Sequence, residues 1–180
     1  IADQNLTHNN TPTLGVAGKV GNAIDYDGLQ DENSVNRFLF NVQPLSDFSF
    51  AFWFKQDAGW NADERVSEPI ISDVHSGNAA VTFTLRGVGT GQNNQIRWSV
   101  NTSTSGTHTI LSNKSNFNGN VWYHVIGTYS TTDSDMNLYV NGEMALGGSL
   151  ASASWSATDQ FNSSFWVGAD GTAADSNYSI

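Results

Sequence analysis

Apolar and polar positions alternate with a period of two along much of this 180-residue chain. In 47–55, Phe48, Phe50, Phe52 and Phe54 fall on one face of an extended segment, while Ser49, Ala51 and Trp53 fall on the other. A strand apolar on both faces is expected at the centre of a sheet, covered from each side. In 81–86 and 96–100, Val81, Phe83, Leu85 and Ile96, Trp98, Val100 alternate with Thr82, Thr84, Arg86 and Arg97, Ser99. That pattern predicts half-buried antiparallel strands. The connection 87–95 holds three glycines and two asparagines and reads as a hairpin loop. Segments 122–129 and 136–140 alternate as well, and the second ends in Asn141-Gly142. Asn-Gly between apolar runs predicts a type I′ turn, which needs φ > 0 at both central residues.

Further strands are predicted at 35–42, 70–72, 108–111, 143–146 and 165–168. Residues 1–17 read as an irregular lead-in, and 56–69 as a long loop. No helix period, heptad or internal repeat stands out. About ten to twelve short strands with turns between them predict an all-β fold, a two-sheet antiparallel β-sandwich of the jelly-roll kind. The length predicts a single domain over 1–180.

Composition narrows the function classes. Six Trp, five Tyr and ten Phe supply a core, and only 13% of residues are charged. Asn, Ser, Thr and Gly make up about two-fifths of the chain, which suits a turn-rich β protein with a neutral polar surface. The net charge is −10, with seven Lys plus Arg, so neither nucleic acid nor anionic lipid is an expected partner. An acidic surface suits cations, calcium among them, and it also serves plain solubility. With no cysteine, disulfides, thiolate metal sites and cysteine catalysis are excluded. No apolar run approaches ~18 residues, so membrane insertion is not expected. The chain opens on Ile1 rather than Met, as expected of a processed or excerpted polypeptide.

Three motifs carry a family resemblance. Residues 122–129 with 138–142 read W-x-H-V-x-G-T-Y…L-Y-V-N-G; residues 18–28 read G-x-x-G-x-A-x-x-Y-D-G; residues 47–55 read D-F-S-F-x-F-W-F-K. Together they resemble the laminin-G-like, pentraxin-like jelly-roll modules of the concanavalin-A-like lectin/glucanase superfamily. The resemblance implies a β-sandwich that recognises rather than catalyses. Such modules close with a strand that this chain lacks at its end. The sequence is therefore expected to be an excerpt, or to receive that strand by β-augmentation from another chain or from the rest of a parent protein.

Hydrolases of this fold set paired carboxylates on one strand as E-x-D-x-x-E, and no such run occurs. Asp57, Asp63, Glu64 and Glu68 lie in a loop. Asp133 and Asp135 lie in a hairpin loop, sharing a face only if extended. No G-x-S-x-G or H-E-x-x-H occurs, and His8, His75, His108 and His124 are scattered. No catalytic residue is expected, and His124 reads as a structural histidine under the sheet.

The pentraxin-like branch implies a calcium edge, with Asp73, Asn78, Asp170 and Asp175 at the matching positions. Oxygen donors on loops suit calcium's six-to-eight-oxygen shell. Asp73 and Asp170 equally suit Asx turns. For sugar, an aromatic platform with nearby polar groups points to Trp60, Asn61, Asp63 and Trp155. Trp53, Trp98, Trp122 and Trp166 are assigned to packing.

The expected function is binding of a glycan or a glycosylated surface outside a cell, assisted by calcium. The alternatives are a structural or host-attachment module of a virion or surface fibre, and a glycoside hydrolase or lyase of the same fold.

Overall fold

A computed structural model of the protein describes residues 13–25, 33–34, 47–55, 68–73, 81–86, 95–102, 106–130, 133, 135–145 and 166–167. Among these are twelve strands: β1 (Thr13–Ala17), β2 (Asn22–Asp25), β3 (Asn33–Ser34), β4 (Asp47–Lys55), β5 (Glu68–Asp73), β6 (Val81–Arg86), β7 (Gln95–Thr102), β8 (Gly106–Ser115), β9 (Trp122–Ser130), β10 (Asp135–Val140), β11 (Glu143–Met144) and β12 (Trp166–Val167). They form a four-stranded sheet in the order β11-β10-β9-β4, a six-stranded sheet in the order β3-β12-β5-β6-β7-β8, and a separate β1-β2 ribbon. All pairings are antiparallel. The predicted strand at 35–42 lies outside the described residues.

The core lies between the two larger sheets. From the four-stranded sheet come Phe54, Tyr123, Val125, Tyr129, Met136, Leu138 and Val140, all buried at the positions the alternation assigns inward. From the six-stranded sheet come Ile70, Ile96, Trp98, Val100 and Ile110. Trp98 links the layers: its indole N–H donates to the Thr128 carbonyl of β9 at 3.2 Å, and its ring meets Phe48 and Phe50 edge-on. At one end, Phe54, Phe117 and Tyr123 pack together, and the Tyr123 hydroxyl accepts from the Asn118 N–H at 2.9 Å.

Two local devices set the register. Asn141 (φ 52°) and Gly142 (φ 83°) form the turn the sequence predicts, and Oδ1 of Asn141 accepts from the His124 N–H at 2.8 Å. The Asn141 N–H donates to the His124 carbonyl at 2.8 Å, so one residue closes both sides of the ladder. Between Gln95 and Arg97 the β7–β8 register shifts. Ser112, buried there, accepts from the Ile96 N–H through Oγ at 3.0 Å and donates to the Lys114 carbonyl.

Three expectations need correction. Residues 13–17 are strand β1, not irregular lead-in; Gly15 and a register shift between Leu14 and Val16 hide its alternation. β4 stands at the end of its sheet's order among the described residues rather than at its centre. Its second face is exposed at Asp47, Ser49, Ala51 and Trp53, because that face carries short polar residues over most of its length. Glu68 and Pro69, read as loop, belong to β5.

Candidate functional site

The β4–β9 register sets four large side chains in a square on the outer face of the four-stranded sheet. Trp53 stands opposite His124, and Lys55 opposite Trp122. Trp53 and His124 stack with ring centroids 4.7 Å apart and planes 27° apart. The Lys55 Nζ lies 5.7 Å from the centroid of the Trp122 ring. Trp53 remains 40% exposed.

The β1–β2 ribbon comes close to Trp53 and shares a cleft with β4. Its turn is closed by the Gly18 N–H donating to the Gly21 carbonyl at 2.9 Å, and it delivers Lys19, whose Nζ lies 5.6 Å from the Trp53 centroid. Between ribbon and β4 runs a cleft of about 580 Å³. Residues 16–20 and 22–25 form one wall; 52–55, Ile70, Ile71 and Trp122 form the other. The chain has three lysines, and each lies over aromatic rings, Lys114 over Phe117 and Tyr123. Two of the three line this cleft. An indole beside an ammonium offers a flat apolar surface and a charged donor at once.

The model of the Laminin_G_3 family, described as the concanavalin A-like lectin/glucanases superfamily, matches residues 25–179. This chain belongs to that family. No curated protein matches it. Among solved structures the Laminin_G_3 chain is similar to the binding domain of botulinum neurotoxin serotype G (TM-score 0.68, 14% identity), covering 99% of this chain and 42% of that one. It is also similar to Trypanosoma rangeli sialidase in complex with 2,3-difluorosialic acid (TM-score 0.54, 14% identity), covering 97% of this chain and 28% of that one. At these identities the likeness concerns the fold, and the chain spans less than half of either protein. Residues 13–24 precede the Laminin_G_3 match, so most of one cleft wall comes from outside the matched stretch.

Of the residues singled out from sequence, Trp60, Asn61, Asp63, Trp155, Asn78, Asp170 and Asp175 lie outside the described residues. Asp73 ends β5 opposite Val81, at the mouth of the 74–80 connection that contains Asn78. β12 runs antiparallel to β5, with Trp166 opposite Ser72 and Val167 opposite Ile71, so at Val167 the chain heads toward the Glu68 end and away from Asp73. The segment holding Trp60, Asn61 and Asp63 leaves from Lys55 and returns at Glu68, and Lys55 and Ile70 both line the cleft.

Asp135 opens β10 and accepts from the Asn137 amide; Asp133 receives the Ser130 hydroxyl at 3.2 Å, so local partners engage each carboxylate. Among the described residues no three His, Asp or Glu side chains gather as a metal site, and no helix is long and apolar enough to cross a membrane.

His124 lies not under the sheet but on its outer face, because Tyr123 and Val125 take the inward positions. Trp98 packs in the core as assigned, whereas Trp53 and Trp122 line the cleft. Sequence reading missed Trp53, Trp122, Lys19 and Lys55 as a group. The available signal was positional: Asp47, Ser49, Ala51, Trp53 and Lys55 share one face, and a tryptophan between charged and small residues on that face is poorly explained by packing.

Proposed function

We propose that this Laminin_G_3 module is a non-catalytic carbohydrate-recognition domain. It works outside a cell as part of a larger protein and takes its sugar in the cleft between the β1–β2 ribbon and β4. The observation that carries this reading is Trp53: a large indole, 40% exposed, on a rigid strand at a cleft also lined by Trp122 and two lysines. The apolar CH face of a sugar packs on an indole, while its hydroxyls need nearby donors and acceptors. The fold and the family are compatible with this role and with others, since sites rather than folds decide function.

Calorimetry of the full chain against a panel of mono- and oligosaccharides tests the proposal, with Trp53→Ala in parallel. Binding by the parent chain that disappears in a folded Trp53→Ala is the expected result. A panel without heat, or binding unchanged by Trp53→Ala, refutes it. A reducing-sugar release assay addresses the hydrolase alternative; steady release by the purified chain would replace recognition with catalysis. Calcium is a separate proposal resting on Asp73 and Asn78 at one connection together with Asp170 and Asp175. It predicts a rise in melting temperature when calcium is returned to chelator-treated protein.

A further inference from the structure

We propose that His124 is a positioning residue of the sugar site, fixing the pose of the Trp53 indole without touching the sugar. This rests on reading the cleft at Trp53 as a sugar site. The backbone that carries Trp53 is already anchored, because its neighbours turn inward: Phe54 is buried and Phe52 packs against the core. What remains to be set is the indole itself, on the exposed face, with its two side-chain torsions. An indole that must be caught in one of several poses binds with a penalty for ordering it.

The imidazole removes that choice. It stands directly opposite Trp53 in the β4–β9 ladder and stacks on it, with 4.7 Å between ring centroids and 27° between planes. Directly opposed side chains of an antiparallel pair lie close enough for such contact. His124 serves as a backstop because its own backbone is held. Tyr123 and Val125 on either side of it are buried in the core. Its N–H donates to Oδ1 of Asn141 and its carbonyl accepts from the Asn141 N–H, each at 2.8 Å. The left-handed turn at Asn141 and Gly142 therefore reaches the platform through one residue. Lys19, 5.6 Å from the same ring, is exposed on a long flexible stem and restrains the indole less. With one face of the indole covered by the imidazole, the sugar takes the other.

Two measurements on the full chain test this, with His124→Thr and His124→Phe. Threonine removes the ring and keeps a strand-forming side chain; phenylalanine keeps a flat ring and loses both nitrogens. Neither change touches the backbone bonds to Asn141. The first measurement needs no ligand: NMR relaxation of the Trp53 indole N–H, assigned by its absence in Trp53→Phe. The indole should be well ordered in the parent and in His124→Phe, and more mobile on the ps–ns timescale in His124→Thr. The second is calorimetry against galactose, glucose and N-acetylglucosamine with their disaccharides. The sugar that the parent binds should bind about three- to tenfold more weakly to His124→Thr, the cost of ordering one side chain on binding. It should bind His124→Phe as tightly as the parent.

An indole equally ordered in folded His124→Thr would overturn the inference, whatever the sugar does. A mobile indole with unchanged affinity would overturn it too. In both cases the sugar reading stands so long as Trp53→Ala abolishes binding. Affinity lost in His124→Phe while its Trp53 indole stays ordered would make His124 a direct sugar contact rather than a positioning residue. No binding of any sugar by the parent would overturn the reading of the cleft and this inference with it.

Discussion

Replacing Trp98 by Phe tests whether one indole ties the two sheets together. Trp98 is fully buried, meets Phe48 and Phe50 at 6.1 and 6.3 Å between centroids, and donates across the interlayer space to the Thr128 carbonyl. A phenyl ring keeps an aromatic surface in the slot but loses the N–H and roughly two ring carbons. At ~0.8 kcal/mol for each buried carbon, the lost transfer energy is about 1.6 kcal/mol. The lost hydrogen bond adds about 0.5–1.5 kcal/mol. The total is about 2–3 kcal/mol, a large share of the ~5–15 kcal/mol that holds a domain folded. For a domain of this length the melting temperature should drop by about 4–12 °C. Urea unfolding followed by far-UV circular dichroism is the assay, because six tryptophans confound fluorescence. The midpoint should fall while the slope stays constant. Trp98→Ala should cost more, about 3–5 kcal/mol. A loss below ~0.5 kcal/mol in Trp98→Phe would refute the idea that this indole couples the layers.

Ser112→Ala should cost about 1–3 kcal/mol in the same assay, because the buried Ile96 N–H loses its acceptor in the β7–β8 register shift. A neutral outcome there would mean that water enters to replace the hydroxyl. Asn141→Ala should cost about 1–2 kcal/mol from forcing alanine into the left-handed region, plus the bond to the His124 N–H. Asn141→Gly should recover the first part and not the second, read as an intermediate unfolding midpoint. Trp53→Ala should lower stability less than Trp98→Ala does, since 40% of its surface already meets solvent, while removing sugar binding; equal losses of stability would make Trp53 a core residue instead.

The sandwich was legible because its strands alternate cleanly. The inward residues of β9 and β10, Tyr123, Val125, Tyr129, Met136, Leu138 and Val140, are those a period-two count selects, and Asn141-Gly142 made the following turn readable from two residues. What stayed hidden depends on neighbours. β1 is short and glycine-broken, so only pairing with β2 makes it a strand. The outer-face square needs the β4–β9 register, which sequence order does not contain: Trp53 and His124 are 71 positions apart in the chain, yet directly opposed in the sheet. Tryptophan in a strand is usually core, so composition pointed Trp53 inward. The face it shares with Ser49 and Ala51 is what turns it outward.

The cleft also explains where specificity can vary without disturbing the fold. The cleft residues on β4 and β9 are fixed by the strands that build the core. The ribbon is different. A Cβ at Gly18 would meet the Asn22 carbonyl carbon and the Gly21 oxygen at 3.1 Å and the Ala23 Cβ at 3.2 Å, and Gly21 sits at φ 65°. Those two glycines fix the path of the turn. Between them, Lys19 is exposed and Val20 is 77% exposed, so their side chains carry little of the fold's stability. A rigid turn with two replaceable side chains, one already set over Trp53, lets that wall of the cleft vary where mutation costs least.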